Sequence, residues 1–174
     1  MNLQKRADLM SRLGSYLISS PSEWLEARET AFRQNNWFLP EFIDLAASRI
    51  ASAFLQKETL VPWAASYESR GYEKPAHIGI IMAGNLPLVG FHDMLCAFMA
   101  GHRQTLKLSS NDSVLMKHII SVLHEWEPET KDLIATSESL KGCDAYIATG
   151  SNHSARYFDY YFSKYPHIIR HSKT

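Results

Sequence analysis

The stretch Ile78-Gly79-Ile80-Ile81-Met82-Ala83-Gly84-Asn85-Leu86-Pro87 decides the fold. Its first five residues are apolar throughout and rich in β-branched side chains, which suits a strand covered on both faces, as in a parallel sheet. Gly84 breaks the run. Downstream, residues 88–100 are apolar almost all round and predict a buried helix ending at Gly101. Thr105-Leu106-Lys107-Leu108 reads as a short second strand, followed after Asp112 by a helix with Leu115, Ile119, Val122 and Trp126 on one side. Residues 144–148 give a third strand and 151–164 its helix, with Ala155, Phe158 and Phe162 facing the sheet; His167-Ile168-Ile169 starts a fourth strand. Three strand-helix units in a row predict an α/β fold, part of a doubly wound parallel sheet.

Working back towards the start, the rhythm is helical. Leu3, Ala7, Met10, Leu13 and Leu17 recur at three- and four-residue steps and share one face. Ser20-Pro21-Ser22-Glu23 predicts a capping box, with Ser20 as N-cap, Pro21 in the first helical position and Glu23 reaching back. Pro40 opens a third helix with Phe42, Leu45, Ala46, Ile50 and Phe54 as its expected apolar stripe, and a short fourth runs from Glu58 through Trp63. Of eight glycines only Gly14 and Gly71 precede Pro75, and all eight histidines follow it. The expected division is therefore an N-terminal helical segment, residues 1–75, and a partial nucleotide-binding α/β domain, residues 76–174. The chain stops at Arg170-His171-Ser172-Lys173-Thr174 directly after a strand, so it is expected to be a piece of a longer protein.

Composition narrows the function. With 174 residues, 45% apolar and 21% charged, the chain is long enough for one proper core. Eighteen basic residues balance eighteen acidic ones, which argues against a nucleic-acid partner. Its apolar runs fall short of the roughly 20 residues of a membrane span, and its start is polar and amphipathic rather than a signal peptide, so the expected location is cytoplasmic. Cys96 and Cys143 are too few for a disulfide framework; Cys96 is expected as a core thiol, and Cys143 stands at the end of the sheet away from chemistry. No ligand-type spacing of His, Cys or Asp predicts a metal, and no Gly-x-Ser-x-Gly elbow predicts a serine hydrolase. The aromatic run Tyr157, Phe158, Tyr160, Tyr161, Phe162 and Tyr165 reads as packing with rings left over for a partner surface.

In open α/β sheets, ligands bind at the carboxyl ends of the strands, so the three strand-to-helix turns are the candidate site. In the first, Asn85 offers a neutral amide donor at the entrance of the following helix, suited to a developing oxyanion; a plain turn and N-cap is the alternative. Spacing from Gly79 to Gly84 is P-loop-like, but Asn85-Leu86 stands where Lys-Ser or Lys-Thr is required, so no ATP site is expected. In the second, Lys107 supplies a cation beside Ser109, Ser110 and Asn111, suited to a phosphate or ribose, with Asp112 near; a solvated lysine and a helix cap is the alternative. In the third, Thr149-Gly150-Ser151 precedes a helix whose free amides suit a phosphate. All three ends are small, polar and donor-rich while the strands are apolar, which predicts a single cleft.

In this order the turns resemble the aldehyde dehydrogenase superfamily: its Pro-x-Asn-x-Pro turn looks like Gly84-Asn85-Leu86-Pro87, its Lys-Pro-Ser segment like Lys107-Leu108-Ser109, and its Thr-Gly-Ser turn like Thr149-Gly150-Ser151. The strings 80–91, 107–112, and 148–170 including Ala155-Arg156-Tyr157-Phe158 more closely resemble the fatty acyl-CoA reductase family, which includes the reductase component of bacterial luminescence systems. The resemblance spans most of residues 60–174. It implies a Rossmann-type cofactor domain of the aldehyde dehydrogenase-like kind, in an NADPH-dependent enzyme that converts an acyl-CoA thioester to an aldehyde through an enzyme-bound thioester. It further implies Asn85 as oxyanion donor, Lys107 with Ser109 and Ser110 at the adenosine ribose or its 2′-phosphate, and Thr149, Gly150 and Ser151 at the pyrophosphate. Ser110 replaces a frequent acidic residue of the superfamily, which favours NADPH while leaving NADH open. The family's nucleophilic cysteine lies further along than Thr174, and neither Cys96 nor Cys143 matches it, so this chain alone is expected to reduce no acyl-CoA. A homo-oligomer is expected of the full-length protein. Two rivals stay open: a non-catalytic nucleotide- or protein-binding module, and a glutamyl-phosphate-type reductase acting on an acyl phosphate.

Overall fold

Alternation of β-branched strands with apolar helices produces the architecture expected of it. The computed structural model describes residues 1–68 and 75–171; Gly71 and the terminal Ser172-Lys173-Thr174 lie outside the described residues. Four helices come first: α1 (Leu3–Ser19), α2 (Ser22–Gln34), α3 (Pro40–Phe54) and α4 (Lys57–Glu68). Strand β1 (His77–Ile81) follows, then α5 (Phe91–Met99), β2 (Arg103–Lys107), α6 (Ser113–Trp126), β3 (Ile134–Thr136), β4 (Ala145–Gly150), α7 (Asn152–Phe162) and β5 (His167–His171). The five strands form one sheet in the order β3-β2-β1-β4-β5, with every pairing parallel.

Side-chain alternation along the strands assigns the layers. Ile78 and its register partner Gln104 face α5, where the Gln104 amide donates to the Met94 carbonyl at 3.2 Å. Gly79 lies on the opposite face beneath the Tyr146 ring, which stacks on Phe162 of α7 at a centroid separation of 4.2 Å. Helices therefore cover both faces, α5 on one and α7 on the other, as a doubly wound sheet requires. The first four helices add a further layer outside α5 and α6. Ala7, Met10, Leu13 and Leu17 of α1 are buried as their spacing predicts. Trp24 of α2 is fully buried, with its ring 5.8 Å from that of His118 on α6, and the Tyr16 hydroxyl hydrogen-bonds the same imidazole at 2.7 Å. One apolar core runs from α1 through β1 to α6.

Several local expectations need correction. Ser20 is not an N-cap: it closes α1 in the left-handed region (φ 48°), and its hydroxyl donates back to the Leu17 carbonyl. Pro21 is the N-cap of α2, without a side-chain cap. The expected stripe of α3 holds only in part: Ile50 packs half-buried against the core, but the buried residues are Ile43, Ala47 and Ala51 while Phe42, Leu45 and Phe54 are exposed. Small residues on the inner face allow close approach to α1, where a Cβ on Gly14 would lie only 2.9 Å from that of Leu55. The fourth helix extends to Glu68, beyond the expected end at Trp63. The helix expected from residue 88 begins only at Phe91, and its end is a Schellman turn in which Gly101 (φ 80°) donates to the Phe98 carbonyl and His102 to that of Ala97. Strand β3 was not expected at all: only three residues long, it buries Ile134 alone and carries no readable periodicity.

These faces set the cost of substitution. Ile43→Ala is expected to lower unfolding free energy by about 2–4 kcal/mol, whereas Leu45→Ser on the same helix is expected to change it by less than about 0.5 kcal/mol. Urea unfolding of the two variants checks this, and equal losses would return Leu45 to the core.

Candidate functional site

Between β2 and β4 stands β1, so the chain moves outward on one side through β2 and β3, then returns to the other side of β1 for β4 and β5. The crevice at the carboxyl ends of β1 and β4 is therefore a topological switch point. Register fixes what meets there: Ile81 is paired with Lys107 on one side and with Ala148 on the other. Strand spacing puts the Lys107 and Ala148 backbones about 10 Å apart. The turns bearing Asn85 and bearing Ser109 and Ser110 thus leave one rim of the sheet beside Ser151, while Thr149 and Gly150, expected in the third turn, are the last residues of β4, paired with Arg170 and His171.

The first turn is held by its neighbours. A Cβ on Gly84 would collide with the Cβ and Oγ of Ser109, and one on Gly90 would lie 2.6 Å from Met82 Cγ, so both positions exclude a side chain. Asn85 is exposed, and its carboxamide has no hydrogen-bond partner among the described residues. It is not at the helix entrance as expected, since the N-cap of α5 is Gly90, five residues on. Between them Leu88 adopts φ 59°, unusual for a side-chain-bearing residue, and its N–H donates to Asp112 Oδ2 at 2.7 Å.

In the second turn Lys107 is half-buried, and no described carboxylate pairs with it. Ser109 caps the short 3₁₀ turn Ser110–Asp112 by accepting from the Asn111 N–H at 3.3 Å, and Ser110 is exposed beside it. Asp112 is 4% exposed and turned inward to Leu88. Burial pushes its carboxyl up to about 7, against the opposing pull of the Leu88 N–H.

The third turn opens α7. Ser151 is the N-cap, accepting from the Ser154 N–H at 3.3 Å, and Gly150 is backed by Phe158 and Ser154, the nearest atoms 3.0 and 3.1 Å from an added Cβ. The Thr149 hydroxyl is engaged, donating to Asp93 Oδ2 at 3.2 Å. Asp93, 3% exposed, is a residue that periodicity did not single out, although a lone acid in the apolar run 88–100 was the available signal. Its Oδ1 lies 3.1 Å from the Arg170 guanidinium, out of line for a hydrogen bond, and 4.0 Å from His92 Nδ1. The neighbouring Asp93 carboxylate and then the Cys96 thiol hold the His92 imidazole up to about 9.

Elsewhere the expectations for cysteine divide. Cys143 is buried at the amino end of β4, and burial raises its thiol. Cys96 is only half-buried, because it forms part of the wall of a cavity of about 650 Å³ with Arg6, Trp63, Tyr67 and His102. His102 precedes β2, so this cavity opens towards the amino ends of the strands and away from the three turns. Among the described residues no three His, Cys, Asp or Glu side chains gather as a metal would require, and no helix is long and apolar enough to cross a membrane. On α7, Tyr157, Tyr160 and Tyr161 are exposed.

No family model matches this sequence, and no curated protein matches it either. Solved structures do. Proline utilization A (PutA) from Corynebacterium freiburgense superposes with a TM-score of 0.74 at 14% identity, over 99% of this chain and 19% of that one. An NAD-dependent benzaldehyde dehydrogenase from Corynebacterium glutamicum superposes with a TM-score of 0.67 at 14% identity, over 97% of this chain and 41% of its own. The fold is thus the aldehyde dehydrogenase-like α/β architecture over nearly the whole chain, and the chain spans about a fifth and two fifths of the lengths of these two proteins.

The elevated Asp112 carboxyl carries a signed prediction. Its folded-state pKa of about 7 lies above the ordinary value near 4, so the native state holds a proton that the unfolded chain releases, and stability falls as pH rises from about 4 to about 7. Asp112→Asn removes that slope. Relative to the parent, the variant is expected to gain on the order of 3 kcal/mol between pH 4 and pH 8, read by urea unfolding across that range. A constant difference at all pH values would show that the carboxyl titrates normally.

Proposed function

We propose that this chain is the cofactor-binding part of an NADPH-dependent acyl-CoA reductase, which takes a fatty acyl thioester to the aldehyde through an enzyme-bound thioester. The observation that carries the reading is the shared rim: a lysine and a carboxamide with no side-chain partner among the described residues, and a capped helix N-terminus, stand side by side at the switch point. Those donors fit a dinucleotide. Lys107 would pair with the adenosine 2′-phosphate, Ser109 and Ser110 would hydrogen-bond beside it, and the inward turn of Asp112 removes the acid that would repel that phosphate. Backbone of Thr149 and Gly150, the Ser151 hydroxyl and the first amides of α7 would hold the pyrophosphate, helped by the helix dipole. Thr149 would contribute backbone only, because its hydroxyl is committed to Asp93.

Asn85 would donate its carboxamide to the oxyanion that forms when a thiolate adds to the acyl carbonyl. A donor in place before the reaction stabilises charge as it develops, and losing one typically costs about 3 kcal/mol of transition-state stabilisation. The thiolate would come from a catalytic domain outside this chain. When bound, NADPH supplies the hydride that releases the acyl group as aldehyde.

Calorimetric titration of NADPH and NADH into the chain and into Lys107→Ala tests the reading. The parent is expected to bind NADPH more tightly, and the variant to lose about tenfold or more in NADPH affinity while NADH changes little, as the loss of one charge-assisted contact requires. Equal weak heats in all four titrations would remove the dinucleotide from the account.

A further inference from the structure

We infer that Asp112 is a positioning residue for Asn85, acting through the Leu88 amide; the inference rests on the reading of Asn85 as a substrate-facing donor. Three observations lead there. First, the acceptor is not local: Asp112 stands at the head of α6, 24 residues beyond Leu88, yet its Oδ2 takes the Leu88 N–H at 2.7 Å in a buried contact. Second, the held residue is unusual in conformation. Leu88 is 2% exposed at φ 59°, and it joins two successive tight turns, Val89 N–H to the Leu86 carbonyl at 3.3 Å and Phe91 N–H to its own carbonyl at 3.0 Å. A leucine in the left-handed region costs on the order of 1 kcal/mol or more and persists where its surroundings fix it. Third, the other end of the turn is held by the same partner segment, because Gly84 packs on Ser109 without room for a side chain.

Asn85 is therefore bracketed. Residue 84 is fixed on Ser109 and residue 88 on Asp112, both supplied by the five residues that follow the strand bearing Lys107. Asp112 occupies the N-cap position of α6 but its side chain makes no capping bond there, and its second oxygen, Oδ1, is buried without a hydrogen-bond partner among the described residues. A side chain placed only to stabilise its own helix would aim at the first amides of α6. This one spends its available bond on the neighbouring turn, so that the loop presenting Asn85 and the loop presenting Ser109 and Ser110 move as a unit.

Amide hydrogen exchange and NADPH titration on the 174-residue chain, on Asp112→Ala and on Asp112→Asn, test the inference. In the parent, the Leu88 amide proton should resonate downfield and exchange slowly, as a bond to a buried carboxyl oxygen requires. Asp112→Ala should speed exchange of the Leu88 amide at least tenfold and weaken NADPH at least fivefold, with Ile80 and Leu106 amides unchanged; Asp112→Asn, which retains an acceptor oxygen, should restore both within about twofold. A fast-exchanging, ordinary Leu88 amide in the parent overturns the inference without any variant, which covers an Asp112→Ala chain that fails to fold. Uniform acceleration through β1 and β2, or faster Leu88 exchange with unchanged NADPH affinity, also overturns it. A parent chain that binds no NADPH sinks the dinucleotide reading instead, and the Leu88 exchange data then decide the clamp alone.

Discussion

Everything in this molecule hangs on the pairing of β1 along both of its edges. With β2 on one side and β4 on the other, its backbone groups are spent in parallel ladders, and its side chains must be apolar because helices cover both faces. Ile78 and Ile80 satisfy one face, while Gly79 on the other leaves room for the Tyr146 ring that carries α7. Once β1 is central, the connections on its two sides run in opposite directions and a crevice opens at its carboxyl end. The fold creates the place, and the turns furnish it.

Two buried acids then tie the rim together. Asp112 links the second turn to the first, and Asp93 links α5 to Thr149 of β4 and, through the Arg170 guanidinium, to β5. Each is an acid withdrawn from solvent, so each owes its place to partners on other elements rather than to its own helix. Behind Lys107 and the Asn85 carboxamide, which have no side-chain partner among the described residues, each acid engages one oxygen, Asp112 Oδ2 with the Leu88 N–H and Asp93 Oδ2 with the Thr149 hydroxyl. The large cavity near Arg6 and His102 lacks this arrangement and sits at the other end of the strands.

Much of this was legible beforehand, and the failures have definite causes. Strand β1 announces itself through a β-branched run closed by Gly84, β4 and β5 through short apolar runs, and β2 through Thr105-Leu106 soon after Gly101, while the turns show as small polar residues between apolar segments. Strand β3 escaped because Ile134-Ala135-Thr136 is too short for any period to emerge. In α3 the larger side chains do not mark the buried face, because close packing on α1 favours Ala47 and Ala51, leaving Phe42 and Leu45 outside. The sequence around Asp112 marks it as the start of a helix and an acid near Lys107, but not as the partner of Leu88. Which way a carboxylate turns depends on a partner 24 residues away, and no local pattern carries that.

Chemical-shift mapping of NADPH onto the isotopically labelled chain addresses the central claim, that the three turns form one ligand site. The account requires perturbations concentrated at Gly84, Asn85, Lys107 to Ser110 and Thr149 to Ser151, on neighbouring strands, saturating together with a single affinity. Perturbations clustered instead around Arg6, Trp63 and His102, or separate affinities at the three turns, would contradict it.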